Sequence, residues 1–211
     1  MVTEQHNKEI YRSQRIAAGV FGCVVVAWLI HIVALVADLN LASLGIRPLV
    51  AGGLVGVLTA PLVHGSWGHL ISNTLPLLIL GTALIYITPR AARIAIPVIW
   101  LGSGLGVWLF ARESIHIGAS GLTYGMLFYL FIIGILRRDR QSIALTLLVF
   151  FLYGGMIWGV FPLAPGISFE YHLFGALAGV ICAFVLKGLD PLPERKRYEW
   201  EDEEFEEDKL P

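Results

Sequence analysis

Apolar residues run through this chain in long uninterrupted blocks, and polar residues collect between them. The first block, Ile16–Ala37, is 22 residues without a charge. Five more follow, at about Leu70–Thr88, Ile94–Phe110, Ser120–Leu136, Ile143–Phe161 and Tyr171–Leu189. Each reaches or approaches the roughly 20 residues with which an α-helix crosses a bilayer. Pro89-Arg90, the run Arg137-Arg138-Asp139-Arg140 and Asp190-Pro191-Leu192-Pro193 punctuate them. The pattern predicts an all-α, polytopic membrane protein with six transmembrane helices. The cleaved core of a secretory signal is about 7–15 residues. The first block is longer, so it is expected to persist as a signal-anchor helix.

Pro48–Val63 is ambiguous, because it is uncharged but broken by glycines and by Pro48 and Pro61. Basic residues decide its fate, since they accumulate on the cytoplasmic side of membrane proteins. With six spans and both termini cytoplasmic, 13 of the 15 Lys and Arg residues face inward, and only Arg47 and Arg112 face out. A seventh span would invert everything downstream. Residues 38–63 therefore read as an external loop that dips into the membrane surface, where irregular backbone needs protein around it.

Composition agrees: 56% of the 211 residues are hydrophobic and 15% are charged, against about 25% charged in a soluble domain. The net charge of −1 is segregated and identifies no partner; nucleic acid is not expected. Cys23 and Cys182 lie within apolar blocks and read as small core residues. The organisation expected is a cytoplasmic segment 1–15, a membrane domain 16–189, and a tail 190–211. That tail carries eight acidic residues between Glu199 and Asp208 and should be disordered.

Polar side chains in a bilayer are costly, so each is a functional candidate. His69 and Asn73, four apart, share one helix face about a turn from each other. His64 precedes them at the helix entry. Ser120 opens the fourth span within Gly118-Ala119-Ser120-Gly121, and His172 lies near the external end of the sixth. Topology alone brings Ser120, His172, His69 and Asn73 to one depth. A serine hydroxyl becomes a nucleophile when a base takes its proton, and His172 can be that base. The oxyanion of acyl transfer needs fixed donors. The Asn73 amide, a His69 N–H and the Ser120 backbone N–H, at a helix start, can supply them. Gly118 and Gly121 allow close backbone approach. Tyr124, one turn after Ser120, can pack on the His172 ring. Gly175 and Gly179 form a small-xxx-small face for helix packing.

No carboxylate is placed to orient His172. Glu170, two residues away, is expected to face water, which makes the pair a Ser–His dyad. His116 is expected to be solvated beside Arg112 and Glu113, and His31 to be structural. Each feature also has a plainer reading. Glycine-flanked serines pack helices, as "LGSGLGVW" is expected to do, and a lone histidine can be a satisfied core residue. A zinc site built from His64, His69, His116 and His172 would lack any His-Glu-x-x-His or intramembrane carboxylate. A transporter would favour acidic residues at the midplane, and the spans hold no Asp or Glu.

Taken together, His64-x4-His69-x3-Asn73, Gly118-Ala119-Ser120-Gly121-x2-Tyr124-Gly125 and His172-x2-Gly175-x3-Gly179, in the second, fourth and sixth spans, resemble the rhomboid intramembrane serine proteases of the bacterial six-span form. The resemblance covers about residues 16–189. It implies a rhomboid-like bundle in a bacterial plasma membrane and an endopeptidase that cleaves transmembrane proteins near the external surface. It implies Ser120 as nucleophile and His172 as base and acid, with His69, Asn73 and the Ser120 N–H at the oxyanion. His64, Tyr124, Gly118, Gly121, Gly175 and Gly179 would be in support, with no metal or cofactor. It also links the fifth span and the following loop, with Pro162 and Pro165, to substrate access. Many family members carry a Trp-Arg pair in the first external loop; residues 38–63 contain no tryptophan. A catalytically inactive rhomboid-like binder of membrane clients and a small transporter are the alternatives.

Overall fold

The computed structural model describes residues 2–164 and 166–192. Pro165, Pro193 and the acidic run Glu199–Asp208 lie outside the described residues. Helix α1 spans Val2–Val36, so it takes in most of the polar N-terminal segment as well as the first apolar block. A short helix α2, Val55–Thr59, follows, flanked by 3₁₀ turns at Leu41–Leu44, Ala51–Leu54 and Ala60–Leu62. Then come α3 (Trp67–Ile87), α4 (Pro89–Phe110), α5 (Ser120–Arg137), α6 (Arg140–Tyr153) with a 3₁₀ extension over Gly154–Val160, and α7 (Phe169–Leu186). Among the described residues six helices are long and apolar enough to cross a membrane: Ala17–Val36, α3, α4, α5, Arg140–Val160 and α7. Residues 38–63 do not form a seventh.

Local chemistry sets the helix ends. Ser66, Asp139 and Ser168 each accept a backbone N–H from the residue three positions on, capping α3, α6 and α7. Pro89 starts α4, where its missing N–H costs nothing.

α5 is the axis of the bundle. Met126, Leu127, Tyr129, Leu130 and Ile133 are fully buried along it, and α7 packs closest to it. A Cβ added to Gly175 would overlap the Gly121 carbonyl oxygen, and one on Gly179 the Gly125 carbonyl oxygen. The backbones touch where side chains would otherwise hold them apart, which is how small residues join membrane helices. The glycines of "LGSGLGVW" also serve packing: Gly106 faces the Phe174 ring of α7, and Gly104 faces Val57 of α2.

The loop over residues 38–63 is held without a tryptophan of its own. Two tryptophans of α4 reach into it: Trp100 Nε1 donates to the Val57 carbonyl at 3.1 Å and Trp108 Nε1 to the Val50 carbonyl at 2.9 Å. The Leu49 N–H donates back to the Trp108 carbonyl at 2.9 Å. Ile46 and His116 exchange both backbone hydrogen bonds as an isolated antiparallel pair. These bonds satisfy loop backbone that lipid could not.

At the opposite end of the bundle, Asp190 closes the fold. Its Oδ1 accepts the Arg90 N–H at 2.8 Å and its Oδ2 the Ala91 N–H at 2.9 Å, capping α4 from beyond α7. Arg137 donates to the Asp190 and Pro191 carbonyls at 3.0 and 2.9 Å.

Candidate active site

The α3, α5 and α7 N-termini meet at one end of the bundle around a cavity of about 670 Å³. Ser120, His172, Tyr124, His69 and Asn73 all line it. Ser120 is the first residue of α5, so its backbone N–H belongs to the group with no intrahelical acceptor. Two turns into the protein from the start of α3, the Asn73 side-chain amide donates to the His69 carbonyl at 2.9 Å. That bond uses one of its two N–H groups and fixes its orientation, leaving the second available.

His172 is held on two sides. Its ring stacks on Tyr124, with centroids 3.9 Å apart and planes 5° from parallel. Its Nδ1 lies 2.9 Å from the Gly159 carbonyl. Among the described residues no hydrogen bond joins Ser120 Oγ to the imidazole. Such bonds are often long in unliganded sites and tighten when substrate arrives.

The remaining candidates surround this group without lining the cavity. His64 sits behind His69, ring centroids 5.0 Å apart and edge-on, and its Nε2 accepts the Ala119 N–H at 3.4 Å. His31 of α1 donates from Nδ1 to the His64 carbonyl at 3.2 Å and packs edge-on against Trp67. Burial, with the neighbouring His69 and His31 adding to it, lowers the His64 pKa to about 4. Gly118 has φ +104°, the left-handed region that side chains avoid, and a Cβ there would strike the His69 imidazole. Gly121 accommodates the Tyr171 ring, and Gly175 and Gly179 lie in the α5–α7 seam.

Two expectations are corrected. His116 is not solvated but 1% exposed. Its Nε2 donates to the Arg112 carbonyl at 3.2 Å, so its Nδ1 accepts from the Ser168 hydroxyl at 2.6 Å. Ser168 Oγ in turn accepts the Tyr171 N–H. Burial lowers the His116 pKa, against the opposing pull of the Arg112 carbonyl. Glu170 does not face water either: α7 begins at Phe169 rather than Tyr171, and Glu170 is buried in its first turn. Its Oε1 is 3.4 Å from Arg112 Nε, and Arg112 Nη2 donates to the Ile167 carbonyl at 2.7 Å. The segment after α4 thus clamps the start of α7, which fixes where His172 emerges. Sequence spacing could not show this, because Arg112–His116 and Ser168–Glu170 are more than 50 residues apart. Gly159 was also missed, since a backbone carbonyl carries no side-chain signal.

The family model of the rhomboid domain matches residues 51–188 of this chain. An uncharacterized protein of Mycobacterium tuberculosis is 40% identical over 180 residues, covering 80% of this chain and 73% of its own length. An uncharacterized protein of Mycobacterium leprae is 35% identical over 180 residues, covering 80% and 70%. RHOMBOID-like protein 2 of Arabidopsis thaliana is 29% identical over 146 residues, covering 66% and 42%. The matched region contains α3 to α7 and every residue that lines the cavity. With its six apolar helices, this chain is an integral membrane protein that belongs to the rhomboid family.

Proposed function

We propose that the protein is an intramembrane serine endopeptidase that cuts transmembrane proteins near the external membrane surface, with Ser120 and His172 as its catalytic dyad. The observation that carries this reading is that Ser120, at a helix N-terminus, and His172, stacked on Tyr124, open into one cavity with His69 and Asn73.

In this reading His172 takes the Ser120 hydroxyl proton as Oγ attacks the scissile carbonyl carbon. The carbonyl oxygen becomes an oxyanion facing the Ser120 N–H, the free Asn73 amide N–H and a His69 ring N–H. Collapse expels the amine, which takes the proton from His172 and leaves an ester on Ser120. Water entering through the cavity then gives its proton to His172 and attacks the ester. That returns the proton to Ser120 Oγ and releases the carboxylate product. No step calls for a metal or cofactor. In this reading the substrates share the enzyme's bilayer, a bacterial plasma membrane, and both termini are cytoplasmic; the bacterial relatives and the excess of basic residues on one side of the spans support it.

The test is cleavage of a tagged single-span substrate by the purified protein in detergent or liposomes. Cleavage abolished by both Ser120→Ala and His172→Ala, and unaffected by EDTA, supports the reading. Intact substrates throughout, with Ser120 unlabelled by a phosphonate, overturn it in favour of a non-catalytic binder.

A further inference from the structure

We infer that Gly159, on the 3₁₀ extension of α6, is a positioning residue that fixes the tautomer of His172 through its backbone carbonyl and takes the place of the missing carboxylate. This rests on the reading of His172 as the base.

A carbonyl oxygen only accepts, so the 2.9 Å contact requires the proton of neutral His172 to sit on Nδ1. Nε2 is then left with its lone pair, the form a general base needs. In a Ser–His–Asp triad the carboxylate holds the imidazole in the required tautomer and orientation. Here a neutral carbonyl selects the tautomer, and the Tyr124 face holds the ring plane. Among the described residues no carboxylate takes this part: Glu170, the nearest in sequence, is paired with Arg112.

The position admits only glycine. A Cβ on residue 159 would overlap the Tyr124 hydroxyl and come 3.2 Å from His172 Nδ1. Any larger residue would push the carbonyl off the ring it orients. The element that carries it is loosely anchored: no residue of the 3₁₀ extension is buried, and only Ser142 and Val149 of α6 are, against eleven residues of α5. The tautomer of the base therefore depends on where the end of α6 sits. Lateral displacement of that end would break the Nδ1 hydrogen bond and remove its bias toward the basic tautomer.

A neutral hydrogen bond of about 0.5–1.5 kcal/mol biases the two tautomers by about 2- to 10-fold. The experiment is nitrogen NMR of ring-labelled histidine in the full-length protein in detergent or bicelles, at a pH where His172 is neutral. Cleavage kinetics are measured alongside. Two variants are compared with wild type: Gly159→Ala, and a backbone ester in which Val160 is replaced by its α-hydroxy analogue. The ester weakens the Gly159 carbonyl as an acceptor without adding bulk, so it reports even if Gly159→Ala misfolds. The expected result is a wild-type His172 protonated at Nδ1, a mixed population in both variants, and kcat lowered at unchanged KM. A wild-type ring protonated at Nε2, or an ester variant with wild-type tautomer populations, overturns the inference. Tautomer shifts with no change in cleavage leave the positioning intact and remove His172 from the role of base, so the two failures are distinguishable.

Discussion

Gly175 lies so close beneath Gly121 that a single methyl group on it would occupy the position of the Gly121 carbonyl oxygen. One turn further on, Gly179 stands in the same relation to Gly125. Between these contacts α5 and α7 approach backbone to backbone, and they carry Ser120 and His172 respectively. Overpacking such a seam costs about 1–3 kcal/mol. Gly179→Ala is therefore expected to lower the unfolding midpoint and, if Ser120 and His172 act as proposed, to reduce cleavage more than its folded fraction accounts for, because it moves the two apart. Gly22→Ala, where a Cβ meets nothing within 4 Å, is the matched control and should leave both quantities unchanged or slightly raised.

The Tyr124–His172 stack is a face contact, so the ring matters more than its hydroxyl. Tyr124→Phe should retain cleavage to within a few-fold. Tyr124→Ala removes an aromatic contact of about 0.5–1.5 kcal/mol, which lowers kcat by about 2- to 10-fold with little change in KM. Steady-state kinetics on a fluorogenic transmembrane substrate decide this; equal losses in the two variants would show that the hydroxyl, not the stack, is the important part.

Acid should destabilise the protein before it damages the site's geometry. His64, held at about 4, and His116, also lowered, are both below the ordinary histidine value of 6.5. The unfolded chain therefore binds more protons below pH 6.5, and stability present above that pH is lost as pH falls toward 4. For His64 alone the shift amounts to about 3 kcal/mol. Thermal unfolding in detergent between pH 7 and pH 4 should show the midpoint falling, with a shallower slope in His64→Gln.

Asp190 offers a test at the other end of the molecule. Two charge-assisted hydrogen bonds to the first turn of α4 are lost together in Asp190→Ala, at a cost of about 3 kcal/mol. Asp190→Asn keeps one acceptor and should cost less. Neither substitution reaches the cavity, so cleavage per folded molecule should remain at the wild-type level. Urea or SDS titration together with kinetics separates the two effects.

Much of this architecture was legible in the sequence, and for a physical reason. A bilayer demands long apolar helices, so six spans stand out from their length alone. Polar residues are rare enough in them that Ser120, His172, His69 and Asn73 were conspicuous. The stack of Tyr124 on His172 followed from one helical turn of spacing. The contacts that hold these residues in place were not legible. Glu170 and His116 looked solvated because polar residues near helix ends usually are; only tertiary pairing with Arg112 and Ser168 buries them. Residues 38–63 contain no tryptophan, and the sequence does not show that Trp100 and Trp108 reach that loop from α4. Backbone carbonyls, such as that of Gly159, leave no trace in side-chain patterns at all.

The bond between Asp190 and α4 also has a consequence for biosynthesis. The cap is 100 residues downstream of Arg90 and 99 downstream of Ala91. At about 5–20 residues per second, the first turn of α4 waits on the order of 5–20 seconds after its own synthesis for the carboxylate that completes it. During that interval its first turn must be solvated by water and lipid headgroups. The final topology is sealed only when the last span has left the ribosome, so a chain truncated before residue 190 would hold six helices with one end unlatched.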